Sequence, residues 1–341
     1  RPRHDRRQRL QRGGGGGVLQ AIHLGRAQRV GRFLDHYRPV LGLIMETELW
    51  PNLIRAAKKN GARVAVVNGR LSDRSLRGYR RLRPFVARLL QSLDAVAAQN
   101  AEYAGRFCEL GAPPDRVHLT GSIKFDGAQT DRDNPKTQQL AQLAGIQPGD
   151  IVFLAGSTQE PEEELALQVY GELAAEYPAL RFIVTPRHPE RFEEVAALLD
   201  RSQVRWQRRS RLEEGGLDSQ ARVLLVDAIG ELGAWWGTAQ IAFVGGSMGT
   251  RGGQNMIEPA AYGAAVSFGP NTSNFRDVVA LLLERDAAVV VTSREELAGF
   301  VRRCLADPHF AAELGQRARQ LVLEQAGAAD KTCQLLQSLM T

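Results

Sequence analysis

Residues 241–263 read IAFVGGSMGTRGGQNMIEPAAYG. Gly245, Gly246, Gly249, Gly252 and Gly253 give this loop almost no Cβ cover. A backbone that bare can bring its N–H groups to an anion. The apolar run before it, IAFV, reads as a buried parallel strand. After it, Asn255 can cap a helix, and Glu258 can reach back in a variant of the capping box. Strand, glycine loop and helix N-terminus together are a standard way for an α/β protein to hold a phosphate. The same residues also describe a glycine turn before a well-capped helix, so other segments must decide.

Other strand ends offer suitable groups. Gly156, Ser157 and Thr158 follow an apolar run at 151–155 and can donate to a phosphate. The acidic first turn behind them, residues 160–164, is accounted for by the preference of carboxylates for a helix N-terminus. Arg187 follows a strand at 180–184, where a guanidinium can fork onto a phosphate or a base edge, or simply face solvent. A strand at 223–226 ends in Asp227-Ala228-Ile229-Gly230-Glu231-Leu232. Asp131-Arg132-Asp133 has the spacing of a metal-binding DxD. It lies in the polar stretch 127–149, which reads as an inter-domain linker, and there solvated carboxylates are the expected reading.

The elements that must position these residues alternate. Strands are expected at 39–45, 64–67, 95–98 and 117–120, with helices at 51–60, 79–93 and 102–110. Beyond 150, strands are expected at 151–155, 180–184, 223–226, 241–244, 265–268 and 289–291. Helices are expected at 295–306, 310–325 and 331–340. Such alternation predicts α/β units with mostly parallel sheets. A length of 341 residues suits about two domains. No run is apolar enough to span a bilayer, and no signal peptide is visible. Three scattered cysteines, Cys108, Cys304 and Cys333, suggest neither a zinc site nor a disulfide framework. The net charge of +6 suits an acidic membrane surface or a phosphorylated ligand. Nucleic acid is not expected, for no binding motif or aromatic-interleaved basic stripe is present. Residues 1–31 stand apart, with six arginines in the first twelve positions and a glycine run at 13–17. They read as a basic tail, or as the product of GC-rich DNA in a wrong frame.

Several stretches together resemble the 3-deoxy-D-manno-octulosonic acid (Kdo) transferases of Gram-negative lipid A assembly. They are METELWPN at 45–52, NGRLSDRS at 68–75, AAQN at 97–100, GSIKFD at 121–126, PRHPERF at 186–192, and FVGGS, RGGQN and EPAAYG between 243 and 263. The resemblance implies a GT-B fold of two Rossmann-like domains facing a cleft. It divides the chain into a tail at 1–31, a partial acceptor domain at 32–130, a linker at 131–149, a donor domain at 150–325 and a closing helix at 326–341. It implies inverting transfer of Kdo from CMP-Kdo to a lipid A precursor, at the cytoplasmic face of the inner membrane and without a metal or other cofactor.

By the same resemblance, Pro186, Arg187, Ile229, Gly230, Glu231, Asn255, Met256, Ile257 and Glu258 meet CMP. Glu46 and Lys124 stabilise the transition state, where a cation offsets developing negative charge and a carboxylate balances an oxocarbenium-like centre. Glu48, Ser157, Thr158, Gly245 and Gly246 are further candidates. Gln159 and Pro161 depart from the family's His and Gly, and Met256-Ile257 from its usual Pro-Leu. The family's hydrophobic anchor and its Gly-Glu motif, whose Glu is the proposed general base, find no match. A first domain about half missing, which binds CMP but transfers poorly, is therefore expected. A nucleotide-sugar epimerase of the same fold and a nucleotide-sugar-binding module without catalysis are the alternatives.

Overall fold

The structure, a computed structural model, describes residues 27–341. Most of the 1–31 segment therefore lies outside the described residues. The chain divides into two units, one running to Leu119 and taking in residues 334–341, the other covering Thr120–Cys333.

The first unit begins with α1 (Ala27–Tyr37) and alternates through β1 (Leu41–Met45), α2 (Pro51–Lys59), β2 (Arg63–Gly69), α3 (Asp73–Arg80), α4 (Arg83–Gln91), β3 (Ala95–Ala98), α5 (Ala101–Glu109) and β4 (Val117–Leu119). The strands form one parallel sheet in chain order. Val64, Val66 and Val96 are buried under a helical layer that includes Ile54, Leu90 and Phe107. The boundary expected at residue 31 falls inside α1, a correction: Val30 and Leu34 are both buried, and their i, i+4 spacing puts them on one helix face. The single helix expected at 79–93 is two. Pro84 sits in the first turn of α4, where its missing N–H is tolerated, whereas a continuous helix would place it in the interior. Ser72 opens α3 by accepting from Ser75 N at 3.2 Å.

The second unit contains α6 (Pro135–Leu143), β5 (Ile151–Thr158), α7 (Glu162–Leu173), β6 (Leu180–Pro186), α8 (Phe192–Arg201), β7 (Trp206–Arg208), α9 (Leu212–Gly215), β8 (Val223–Leu225), α10 (Leu232–Trp235), β9 (Ile241–Val244), α11 (Ile257–Ala261), β10 (Ala265–Phe268), α12 (Arg276–Glu284), β11 (Val289–Val290), α13 (Arg294–Ala306), α14 (Pro308–Gln325) and the start of α15 (Ala328–Ser338), whose residues from Gln334 on belong to the first unit. Its seven parallel strands lie in the order β11-β10-β9-β5-β6-β8-β7. Each face carries its own apolar layer, with Trp235, Trp236 and Tyr262 on one and Phe153, Phe182 and Phe300 on the other. The strand order reverses between β5 and β9. In open α/β sheets the ligand crevice lies at the carboxyl ends of strands flanking such a point.

Residues 131–149 are no free linker. Leu140 on α6 is fully buried in the second unit's core, and Thr137 Oγ1 donates to Ala234 O at 3.0 Å. Arg132 donates to three carbonyls, Tyr262 O at 2.8 Å, Gly237 O at 3.0 Å and Ala239 O at 2.7 Å. Asp131 accepts from Asp133 N at 2.8 Å. The DxD stretch is thus a turn clamped by its arginine.

Candidate functional site

At the β5–β9 reversal the glycine loop does gather N–H groups around an anion, but that anion belongs to the chain. Glu162, 1 % exposed, accepts from Gly246 N at 2.7 Å, Ser247 N at 2.9 Å, Met248 N at 2.9 Å and Gln159 N at 2.9 Å. Burial raises its pKa, and these four donors restrain the rise. Gly245 N is also engaged, donating to Gly156 O at 2.9 Å. The N–H groups of Gly245 and Gly246 are therefore not open to a phosphate, which corrects the reading of the loop. It also corrects the reading of Glu162 as a mere helix-dipole partner. Glu163, 2 % exposed, pairs with Arg191 at 3.2 Å.

Gly156 to Thr158 belong to β5 rather than to a loop behind it. The register shifts there, and Ser157 takes a left-handed φ of 55°. Thr158 is fully buried and its hydroxyl donates to Thr185 O at 3.4 Å.

Pro186 ends β6 and is buried, leaving Arg187 exposed at the C-terminal edge of the sheet. Asn255 Oδ1 accepts from Ile257 N at 3.0 Å, and its amide donates to Glu258 Oε1 at 2.9 Å. The expected capping box is not formed: Met256, not Asn255, stands at the helix cap, and Asn255 instead closes a turn onto Ile257 while its amide holds Glu258. The helix that follows, α11, has only five residues. Burial raises the pKa of Glu258, opposed by the Asn255 amide and by the charge of Arg187. The charge of Arg187, just after β6, is thus felt at the start of α11. Met256 and Ile257 are 0 % and 1 % exposed within the core, so only their backbone can face a ligand. Glu231 is committed to a bidentate pair with Arg209, both bonds 2.8 Å. Burial alone would raise its pKa, yet Arg209 holds it below the usual carboxylate range. Beside it Ile229 is 81 % exposed and Gly230 has φ 85°.

A cavity of about 450 Å³ in the second unit is lined among others by Gln159, His188, Arg191, Gly246, Thr250 and Arg251. Lys124, in the second unit, is exposed with its ammonium 5.5 Å from the centroid of the Phe275 ring. Its neighbour Asp126 accepts from Gly327 N at 2.6 Å and Ala329 N at 2.6 Å, capping α15. In the first unit Glu46 ends β1, exposed and left-handed at φ 55°. Glu48, also exposed, donates its N–H to Met45 O at 3.3 Å. Asn68 ends β2 with φ 53°. Non-glycine residues in this conformation store strain, which is commonest at functional positions. Other motif residues hold the fold: Gln99 donates to Asn68 O at 3.0 Å, and Asn100 caps α5 by accepting from Tyr103 N at 2.8 Å.

The family model for 3-deoxy-D-manno-octulosonic-acid transferase (kdotransferase) matches residues 7–127. A 3-deoxy-D-manno-octulosonic acid transferase of Haemophilus influenzae is 34% identical over 306 residues, covering 89% of this chain and 71% of that protein. The enzyme of that name from Bordetella pertussis is 35% identical, over 90% of this chain and 71% of its own. The chain belongs to the Kdo transferase family. It is a glycosyltransferase. The family match takes in most of residues 1–31, the segment expected to lie outside the family. Among solved structures, the C-terminal CMP-Kdo binding domain of WaaA from Acinetobacter baumannii is 29% identical, with a TM-score of 0.51, over 55% of this chain and 96% of that one. UDP-GlcNAc 2-epimerase from Neisseria meningitidis has a TM-score of 0.62 at 16% identity over 92% of this chain and 80% of its own. That likeness is one of fold, the GT-B class that these transferases and epimerases share.

Within the site, Arg187, Asn255 and Glu258 gather at the C-terminal edge of the second unit's sheet, while Glu46 and Glu48 lie in the first unit. Glu162 and Arg251 were not singled out from sequence. Arg251 stands inside a quoted motif, whereas the pairing of Glu162 with a loop more than eighty residues away left no local trace.

Proposed function

We propose that this Kdo transferase transfers Kdo from CMP-Kdo to a lipid A precursor with inversion, the second unit holding the donor. The observation that carries the reading is the placement of Arg187, exposed just after β6, and of Glu258, held by the Asn255 amide at 2.9 Å in the first turn of α11. Arg187 offers the donor phosphate a planar fork, and Glu258 offers a ribose hydroxyl an acceptor already oriented by Asn255. Departure of CMP leaves negative charge on its phosphate, which Arg187 and Lys124 offset without a metal. The acceptor hydroxyl attacks the anomeric carbon from the face opposite CMP, the bond from that carbon to the CMP phosphate oxygen breaks, and the hydroxyl proton passes to water. Glu46 serves electrostatically, balancing the oxocarbenium-like centre. The backbone at Ile229 and Gly230, together with that of Met256 and Ile257, borders the nucleotide. Action at the cytoplasmic face of the inner membrane accords with the net charge of +6.

Calorimetry with CMP tests the donor half of this reading. Arg187→Ala and Glu258→Gln should each weaken binding by about 1.5–3 kcal/mol, the scale of a charge-assisted hydrogen bond. Unchanged affinity in both variants removes the two residues from the site.

A further inference from the structure

Neither Arg187 nor Glu258 lines the second unit's cavity of about 450 Å³, a volume within the span of small-ligand pockets, roughly 300–1,000 Å³. Its lining does include His188, next in the chain to Arg187, and Gly246 of the glycine loop.

The charged groups on its wall are not equivalent. Arg191 is committed to Glu163 at 3.2 Å, Glu194 at 2.8 Å and Glu160 at 3.7 Å. Glu162 is enclosed by its four N–H donors. Glu190 stands 3.9 Å from His188. The Arg251 guanidinium is exposed and enters no ion pair or hydrogen bond among the described residues. Its backbone, by contrast, is fixed. Arg251 O accepts from Asn274 Nδ2 at 2.8 Å. The next residue, Gly252, is left-handed at φ 86°, and a Cβ there would come within 2.5 Å of Ser273 Oγ.

An anchored but uncommitted guanidinium, on a cavity that also takes in the residue following Arg187, favours a ligand that carries a second anion besides its phosphate. The donor proposed above has one, because Kdo is a sugar acid whose carboxylate is bonded to the anomeric carbon. We infer that Arg251 receives this carboxylate and is the residue that selects an acidic sugar on the nucleotide. Thr250 and Gln159 stand on the same wall as neutral hydrogen-bonding partners for its oxygens. A nucleotide sugar without a carboxylate gains nothing from Arg251 and must still displace the water that solvates it. The inference rests on the donor reading of the preceding section.

The test is competition of CMP and of CMP-Kdo against a fluorescent cytidine nucleotide, which needs no turnover. It is run on the full chain and its Arg251→Ala and Arg251→Lys variants. Arg251→Ala should weaken CMP-Kdo about 10- to 100-fold while shifting CMP by less than about threefold. Arg251→Lys keeps the charge without the fork and should recover most of the loss. The thermal midpoint should stay where it is, since the side chain is exposed. Equal loss for both ligands would put Arg251 on the nucleotide phosphate, and no loss for either would remove it from the site; each result overturns the inference. Absence of CMP binding by the unmodified chain is a different failure. It overturns the donor reading itself and takes the subsite with it.

Discussion

Glu162 holds three consecutive loop amides, Gly246, Ser247 and Met248, so its carboxylate does for the glycine loop what a bound phosphate does for other such loops. Glu162→Gln would turn an N–H donor toward part of that set and leave amides unpaired in the interior. A loss of about 3 kcal/mol or more is expected, read by urea unfolding; a loss within 0.5 kcal/mol, the scale of a neutral surface change, would show that the amides find other partners. Glu258 makes a pH-dependent case. Burial raises its folded pKa above the unfolded value, against the Asn255 amide and the Arg187 charge. The folded state then holds the proton more tightly, so the stabilising term is present at low pH. It is lost as pH rises from the ordinary carboxylate range through the raised pKa. Glu258→Gln removes that dependence. Its stability relative to the parent chain should climb as pH rises from about 4 toward 7, even as CMP affinity falls. A difference that is flat with pH would mean that the carboxylate ionises freely. That Asn255 and Glu258 meet was readable because the two lie three residues apart, although the bond joins their side chains rather than closing a cap. The Glu162 bond set was not, since only the fold brings α7 to the loop after β9.

At the scale of elements, the site depends on how closely the ends of β5 and β9 approach. A Cβ on Gly245 would lie 2.5 Å from Thr158 Cα and 2.7 Å from Ser157 O, backbone atoms that cannot yield without separating the two strands. Gly245→Ala should therefore cost about 1–3 kcal/mol of stability and weaken CMP binding with it. Thermal unfolding and calorimetry on one preparation would check this, and an alanine variant as stable as the parent would show that the strand ends are looser than they stand. Gly156 meets a similar limit, its Cβ position being 2.4 Å from the Trp236 ring. Strands such as β2, β5 and β9 were readable from short apolar runs bounded by glycine or polar residues. β7 was not, because Trp206–Arg208 is three half-buried residues at a sheet edge. The polar stretch 127–149 showed only a weak helical pattern in its second half, where α6 lies, and the place of α6 is set by Leu140 and by the Arg132 clamp. Pro84 was the available sign that one expected helix is two.

For the whole molecule, the division at Leu119 and Thr120 separates the residues proposed for the donor from Glu46 and Glu48. The short motifs made the family readable, because residues such as Asn100 and Asp126 occupy caps that tolerate few replacements. Which motif residues face a ligand was less readable, since a sequence does not say that Glu231 is held by Arg209 or that Met256 is buried. The second unit contains both apolar layers of its sheet, together with Arg187, Asn255 and Glu258, and it needs no other residue for the CMP contacts proposed here. A fragment of residues 120–341 keeps α15 whole, along with the Asp126 bonds that start it. This fragment should unfold cooperatively and bind CMP within about threefold of the full chain, a difference under 1 kcal/mol. It should not transfer Kdo to a lipid acceptor. Glu46 would be gone, and orientation of the acceptor hydroxyl would fall to solvent. Orientation of reacting groups can contribute about 7–11 kcal/mol to lowering a barrier. Calorimetry and a transfer assay with CMP-Kdo and lipid IVA, run on fragment and full chain together, separate the two roles. CMP affinity more than tenfold weaker in the fragment would place a first-unit residue in the nucleotide site. Transfer by the fragment at a rate comparable to the full chain would place the acceptor chemistry in the second unit, and with it the role proposed for Glu46 would fail.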